Sequence, residues 1–89
     1  MLIIDVRTPE EFSAGHLKGA ILIEYQNILE EIENYIDSKD ALIGLYCAAG
    51  IRSEFATQAL LHHGSHQAIN LGSFTDLWQQ YPQLRDESQ

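Results

Sequence analysis

Cys47 is the only cysteine of the chain, and it opens the segment Cys47-Ala48-Ala49-Gly50-Ile51-Arg52-Ser53, whose residue types and order could do chemistry. A run of small residues after the sulfur lets the backbone curl tightly and aim successive N–H groups inward. Gly50 can take the positive φ that such a curl needs. The curl would form an anion-binding nest, strengthened by the positive end of a following helix. Arg52 adds a fixed positive charge beside it. Donors of this kind favour the thiolate over the thiol, so the Cys47 pKa is expected to fall and the sulfur to act as a nucleophile. The same donors could hold a displaced or transferred anion. A lone cysteine is by default a small core residue; here its loop argues for more.

The elements that must position this loop follow from the pattern of the chain. Leu2-Ile3-Ile4, Ala20-Ile21-Leu22-Ile23, Leu42 to Tyr46 and Gln67 to Leu71 read as short, continuously apolar strands. Such strands suit a sheet covered on both faces. Thr8-Pro9-Glu10-Glu11 reads as a helix start, with Thr8 as N-cap, Pro9 at the first helical position and Glu11 closing a capping box. Gly15 ends that helix. A second helix is expected over about Tyr25 to Ile36, with Ile28, Leu29, Ile32, Tyr35 and Ile36 as its apolar stripe. A third is expected over about Ser53 to His63. Gly72-Ser73 is expected to turn into a last helix carrying Phe74, Leu77 and Trp78, and the tail after Pro82 to fray.

Alternating strands and helices imply right-handed crossovers and a mostly parallel sheet. In such a sheet, ligands bind beyond the carboxyl ends of the strands. Asp5 to Arg7, Cys47, and Gly72 with Ser73 would then share one rim. The 89 residues suffice for one domain, expected over 1–82 with a polar tail over 83–89.

Net charge −8, with only Arg7, Lys18, Lys39, Arg52 and Arg85 as basic residues, speaks against nucleic acid and anionic membranes as partners. One cysteine excludes an internal disulfide and a Cys-x-x-Cys redox pair. His62, His63 and His66 are read as closing a helix C-terminus rather than binding metal; no metal and no cofactor are expected. The start Met1-Leu2-Ile3-Ile4-Asp5 does not read as a secretory signal. The chain as written suggests the cytoplasm, or the periplasm if a leader has been removed.

The loop Cys-x-x-Gly-x-Arg-Ser, matched at Cys47, Gly50, Arg52 and Ser53, resembles the catalytic loop of the rhodanese (sulfurtransferase) family. Asp5-Val6-Arg7, Glu10-Glu11-Phe12 and Gly15-His16-Leu17-Lys18-Gly19-Ala20 are similar to a second signature of that family. Asn70-Leu71-Gly72-Ser73-Phe74, with Trp78, looks like its final strand and turn. The resemblance spans Leu2 to about Tyr81. It implies a small three-layer α/β fold with a four- to five-stranded, mostly parallel sheet. It also implies a thiosulfate sulfurtransferase of the single-domain type, carrying sulfane sulfur as a persulfide on Cys47.

On that resemblance, the donor is a small anion such as thiosulfate and the acceptor is cyanide or a thiol. Ala48, Ala49, Gly50, Ile51, Arg52 and Ser53 correspond to the substrate-binding loop, with Arg52 as the anion-binding arginine. Asp5, Arg7, Glu11 and His16 correspond to structural residues bracing the rim. Ser73 departs from the family's Gly-Gly, and the strand and helix that usually precede Asp-Val-Arg are largely absent. Two other readings stand beside this one. A relay module would receive persulfide from a protein donor. A cysteine-dependent phosphatase would need five residues between Cys and Arg, where this chain has four.

Overall fold

A computed structural model describes residues 1–86 of the chain. The expected α/β architecture is present. Four parallel strands, β1 (Leu2–Asp5), β3 (Ile21–Leu22), β4 (Ile43–Cys47) and β5 (Ala68–Ser73), form a sheet in the order β3-β1-β4-β5. Register places Asp5 beside Tyr46 and Cys47 beside Ser73, so the three segments expected at one rim do meet at the carboxyl ends of adjacent strands.

The alternation along β4 builds two cores. Ile43, Leu45 and Cys47 point to one face, where they join Ile4, Val6, Ile23, Ile28, Ile32, Ala56 and Leu60. Tyr46 points to the other, packed with Leu17 and Leu77 and lined by Ile3, Leu71 and Phe74. The first core is closed by α2 (Ile28–Glu31) and α3 (Ile51–His62), the second by α4 (Phe74–Gln80). The helix α1 (Pro9–Ala14) has the expected cap: Thr8 Oγ accepts from the Glu11 N–H and Glu11 accepts from the Thr8 N–H.

Four expectations are corrected. The helix expected over Tyr25 to Ile36 is broken into a 3₁₀ turn (Tyr25–Asn27), the single α-turn α2 and another 3₁₀ turn (Ile32–Asn34). Two asparagines and β-branched isoleucines are weak helix formers, and the carboxylates of Glu30 and Glu33 fall at a mutually repulsive spacing. Only Ile28 and Ile32 of its stripe are buried, while Leu29 and Tyr35 are exposed. The helix α3 starts at Ile51 rather than Ser53, because Gly50 at φ 91° turns the chain into it two residues earlier. The last strand runs two residues past the expected Leu71, through Gly72-Ser73, and passes directly into the expected last helix with Ser73 as its N-cap. The segment after Pro82 is ordered to the last described residue: β6 (Arg85–Asp86) pairs antiparallel with β2 (His16–Leu17). The rest of the expected tail, 87–89, lies outside the described residues. Among those residues, no helix is long and apolar enough to cross a membrane.

Candidate active site

The curl expected after β4 is present, with its amides turned toward the sulfur. The Gly50 N–H lies 3.1 Å from Cys47 Sγ and the Ser53 N–H 3.3 Å from it. Ser53 Oγ stands 3.4 Å away. Gly50 makes this possible, since its φ of 91° is costly for a residue with a Cβ. Burial pushes the Cys47 thiol up, but the Ser53 hydroxyl and the amides of Ser53, Ala49 and Gly50 outweigh it, so the pKa lies below the ordinary thiol value.

Cys47 is only 1% exposed. Ala48, Ala49 and Ile51, by contrast, are exposed on the outside of the curl. The sulfur is thus recessed and is not a surface thiol.

Arg52 is committed more tightly than its place in the loop suggested. Its Nη1 and Nη2 donate to Glu11 Oε1 and Oε2 at 2.9 and 3.1 Å. Arg52 and the Thr8 N–H together hold the Glu11 carboxyl down at about 2, against the partial burial that opposes them. This bidentate pair ties α1 to the first turn of α3.

The remaining rim residues form a separate buried network. The Asp5 carboxylate accepts from the Arg7 backbone N–H at 2.9 Å and from Arg7 Nη2 at 2.7 Å. It also accepts from the Tyr46 hydroxyl at 2.8 Å. Tyr46 Oη in turn accepts from the Leu17 N–H, and Arg7 Nη2 donates to the Gly15 carbonyl. The Arg7 guanidinium lies 4.1 Å from the centre of the Phe74 ring. His16 stacks on Phe12 with centroids 3.7 Å apart and sits 3.5 Å from Asp86. These contacts brace the chain beneath the loop, and none reaches the sulfur.

Two residues outside the expected set shape the site. Ser73, read as a departure at the last strand, caps α4 by accepting from the Asp76 N–H at 3.2 Å. Asn70 was named in sequence only as part of the final strand. Its side chain bonds Ser53, Gly72, Gly50 and Glu54 and so spans the loop, the strand end and α3. A β-bulge at Leu71 aims it there, because Leu45 pairs with Asn70 while Tyr46 pairs with Gly72. The available signal was an Asn inside an apolar strand two residues before a glycine, both types being depleted in strand interiors.

Beside the loop lies a cavity of about 490 Å³ lined by Ala49, Gly50, Ile51, Glu54, Phe55, Gln58 and Asn70. Ile51 and Phe55 are each 66% exposed on its wall. The histidines take other partners: His66 pairs with Asp40 at 2.6 Å, and His63 Nδ1 meets the Ala59 carbonyl.

The chain is thus a parallel α/β domain with a recessed cysteine sulfur that accepts from two peptide N–H groups at the carboxyl edge of its sheet. The chain belongs to the rhodanese-like domain family, whose model matches residues 1–81. It is 34% identical to the thiosulfate sulfurtransferase PspE of Escherichia coli over 74 residues, covering 83% of this chain and 71% of that one. It is 42% identical to thiosulfate sulfurtransferase 16, chloroplastic, of Arabidopsis thaliana over 72 residues, covering 68% of this chain and 59% of that one. The chain spans only 19% of a tRNA uridine(34) hydroxylase to which it also aligns. Among solved structures, a rhodanese with anions from E. coli superposes with TM-score 0.81 and 33% identity, over 84% of this chain and 88% of that one.

Proposed function

We propose that this domain takes sulfane sulfur from thiosulfate onto Cys47 and passes it to cyanide or a thiol. The observation that carries the reading is the pair of peptide N–H groups within 3.3 Å of Cys47 Sγ, joined by the Ser53 hydroxyl. In the first step the thiolate attacks the outer sulfur of thiosulfate. The new Sγ–S bond forms as the S–S bond of the donor breaks, and sulfite leaves with the electron pair. The negative charge now rests on the outer sulfur of the persulfide, where the loop amides of 48–53 receive it. In the second step cyanide or a thiolate attacks that outer sulfur, and Cys47 departs as the thiolate.

Arg52 contributes positive charge at the loop mouth, with its direction fixed by Glu11. The neighbouring cavity offers a thiol acceptor apolar contact with Ile51 and Phe55, beside the Glu54 carboxylate. Neutral or cationic thiols therefore suit it better than anionic ones. The exposure of Ile51 and Phe55 also favours a second reading, in which a persulfidated protein docks there and loads Cys47 directly.

Intact-protein mass spectrometry after thiosulfate treatment tests the main reading. A gain of one sulfur atom is expected in the wild type and not in Cys47→Ser. No gain in the wild type, or a gain that survives the substitution, refutes it. Comparing loading rates from thiosulfate and from a persulfidated protein donor separates the two donors.

A further inference from the structure

We propose that Asn70 is a positioning residue that controls the ionisation of Cys47 by competing with the sulfur for the single proton of the Ser53 hydroxyl. Ser53 is fully buried, so its hydroxyl has no water to turn to. Two acceptors flank it: Asn70 Oδ1 at 2.7 Å and Cys47 Sγ at 3.4 Å. One hydroxyl proton cannot serve both.

The Asn70 amide cannot avoid this competition by flipping. Its Nδ2 faces two pure acceptors, the Gly50 carbonyl at 3.1 Å and Glu54 Oε1 at 3.2 Å. Its Oδ1 faces a pure donor, the Gly72 N–H at 3.0 Å. A flip would oppose acceptor to acceptor at the Gly50 carbonyl and Glu54, and donor to donor at the Gly72 N–H. The carbonyl oxygen is therefore held on Ser53 by three partners that have nothing to do with sulfur.

The consequence is a hydroxyl with two settings. With a neutral thiol, Ser53 donates to Asn70 and its lone pair accepts the S–H of Cys47. When Cys47 ionises, the hydroxyl turns to the sulfur, and Asn70 Oδ1 keeps the Gly72 N–H. Once Cys47 carries a second sulfur, the charge has moved outward and the hydroxyl returns to Asn70. When an acceptor removes that sulfur, the hydroxyl swings back onto the departing thiolate. The other charged groups around the loop are the Arg52–Glu11 pair, the Asp5–Arg7 pair beneath it and Glu54 beside Asn70. Of these only Glu54 loses a partner when Asn70 is removed.

This inference rests on Cys47 as the sulfur carrier, but its test reads ionisation, not transfer. The rate of Cys47 alkylation by iodoacetamide is followed against pH in the full chain for wild type, Asn70→Ala, Ser53→Ala and the double variant. Ser53→Ala should raise the apparent pKa. With Ser53 present, Asn70→Ala should increase the thiolate fraction below the pKa roughly threefold to tenfold, the equivalent of one ordinary net hydrogen bond. In the Ser53→Ala background the same change should leave only the smaller effect of the loss at Glu54, which is common to both backgrounds. Ser53→Thr, which restores a hydroxyl, should restore the Asn70 effect. Asn70→Asp, a stronger acceptor, should shift the thiolate fraction downward, and more so with Ser53 present. An Asn70→Ala effect of equal size in both backgrounds, or a fall in thiolate with Ser53 present, overturns the proposal. Should Asn70→Ala fail to fold, the Asn70→Asp pair decides by the same comparison. Sulfur gain by mass spectrometry, read on the same proteins, reports separately on the carrier role.

Discussion

Glu11→Gln isolates the ion pair that ties α1 to the loop helix, because a glutamine oxygen can still accept the Thr8 N–H and keep the helix cap. The native carboxyl is held at about 2, against an ordinary 4.5. Taken at face value, the difference of 2.5 (4.5 minus 2) corresponds to about 3.4 kcal/mol at about 1.36 kcal/mol per pH unit. Both side chains are about one-third exposed, 34% for Glu11 and 30% for Arg52, so solvent screening reduces that figure severely. With bidentate geometry retained, about 1 kcal/mol is the reasonable expectation. In a domain of this size that amounts to a melting temperature lower by about 4–8 °C. The sign with pH follows from the depressed carboxyl. Its contribution is complete above the unfolded value near 4.5 and disappears as pH falls through about 2. Urea unfolding of both proteins at pH 7, and at steps from 4.5 downward, is the assay. The gap between wild type and variant should be constant above 4.5 and close toward 2. Equal stability at pH 7, or a gap that ignores acid, would show that the pair contributes nothing and that Arg52 is free to serve the loop alone.

Gly50→Ala forces a Cβ into the positive-φ position at 91° and should cost about 1–2 kcal/mol. It should also turn the Gly50 N–H away from Cys47, so the alkylation pH profile of the thiol moves up; an unchanged profile would mean that this amide does not hold the sulfur. Tyr46→Phe removes the hydroxyl that bonds both Asp5 and the Leu17 N–H, leaving buried groups unsatisfied at a cost of about 1–3 kcal/mol in urea unfolding. Its loading by thiosulfate, measured per folded molecule, should stay within about twofold, since the network does not touch the sulfur. Phe55→Ala should raise KM for an apolar thiol acceptor about fivefold, the loss of about 1 kcal/mol of apolar contact, and leave cyanide turnover unchanged. An equal effect on cyanide would place the fault in the loop, not in the cavity.

The parts of the molecule that were legible in sequence are those whose partners are near in the chain. The cap of α1 joins Thr8 and Glu11, three residues apart, and the cradle joins Cys47 to Gly50 and Ser53. Local spacing defines such contacts whatever the rest of the fold does. The Glu11–Arg52 pair, the bulge that aims Asn70 and the pairing of β2 with β6 join residues that no local pattern connects. The two residues of β6 are also too few to show any periodicity. The broken second helix failed for the opposite reason. Its isoleucines do fall at helical spacing, but periodicity records which side is apolar, not whether a helix is stable enough to continue through Asn27 and Asn34.

The distribution of charge explains why the site is built from peptide N–H groups. A chain of net charge −8 has few cations to spend on an anionic donor, and both arginines nearest the loop are already paired, Arg7 with Asp5 and Arg52 with Glu11. Peptide donors need no counterion and are oriented by Gly50 and the start of α3. The excess acidity is largely screened beyond a Debye length of about 8 Å at physiological salt, whereas groups within 3.3 Å of the sulfur are not. Rates of sulfur loading should therefore respond weakly to ionic strength and strongly to the geometry of three donors. That dependence makes the contest for the Ser53 proton matter: where the nearest arginines are already paired with carboxylates, one neutral hydrogen bond more or less is a large share of what holds the sulfur ionised.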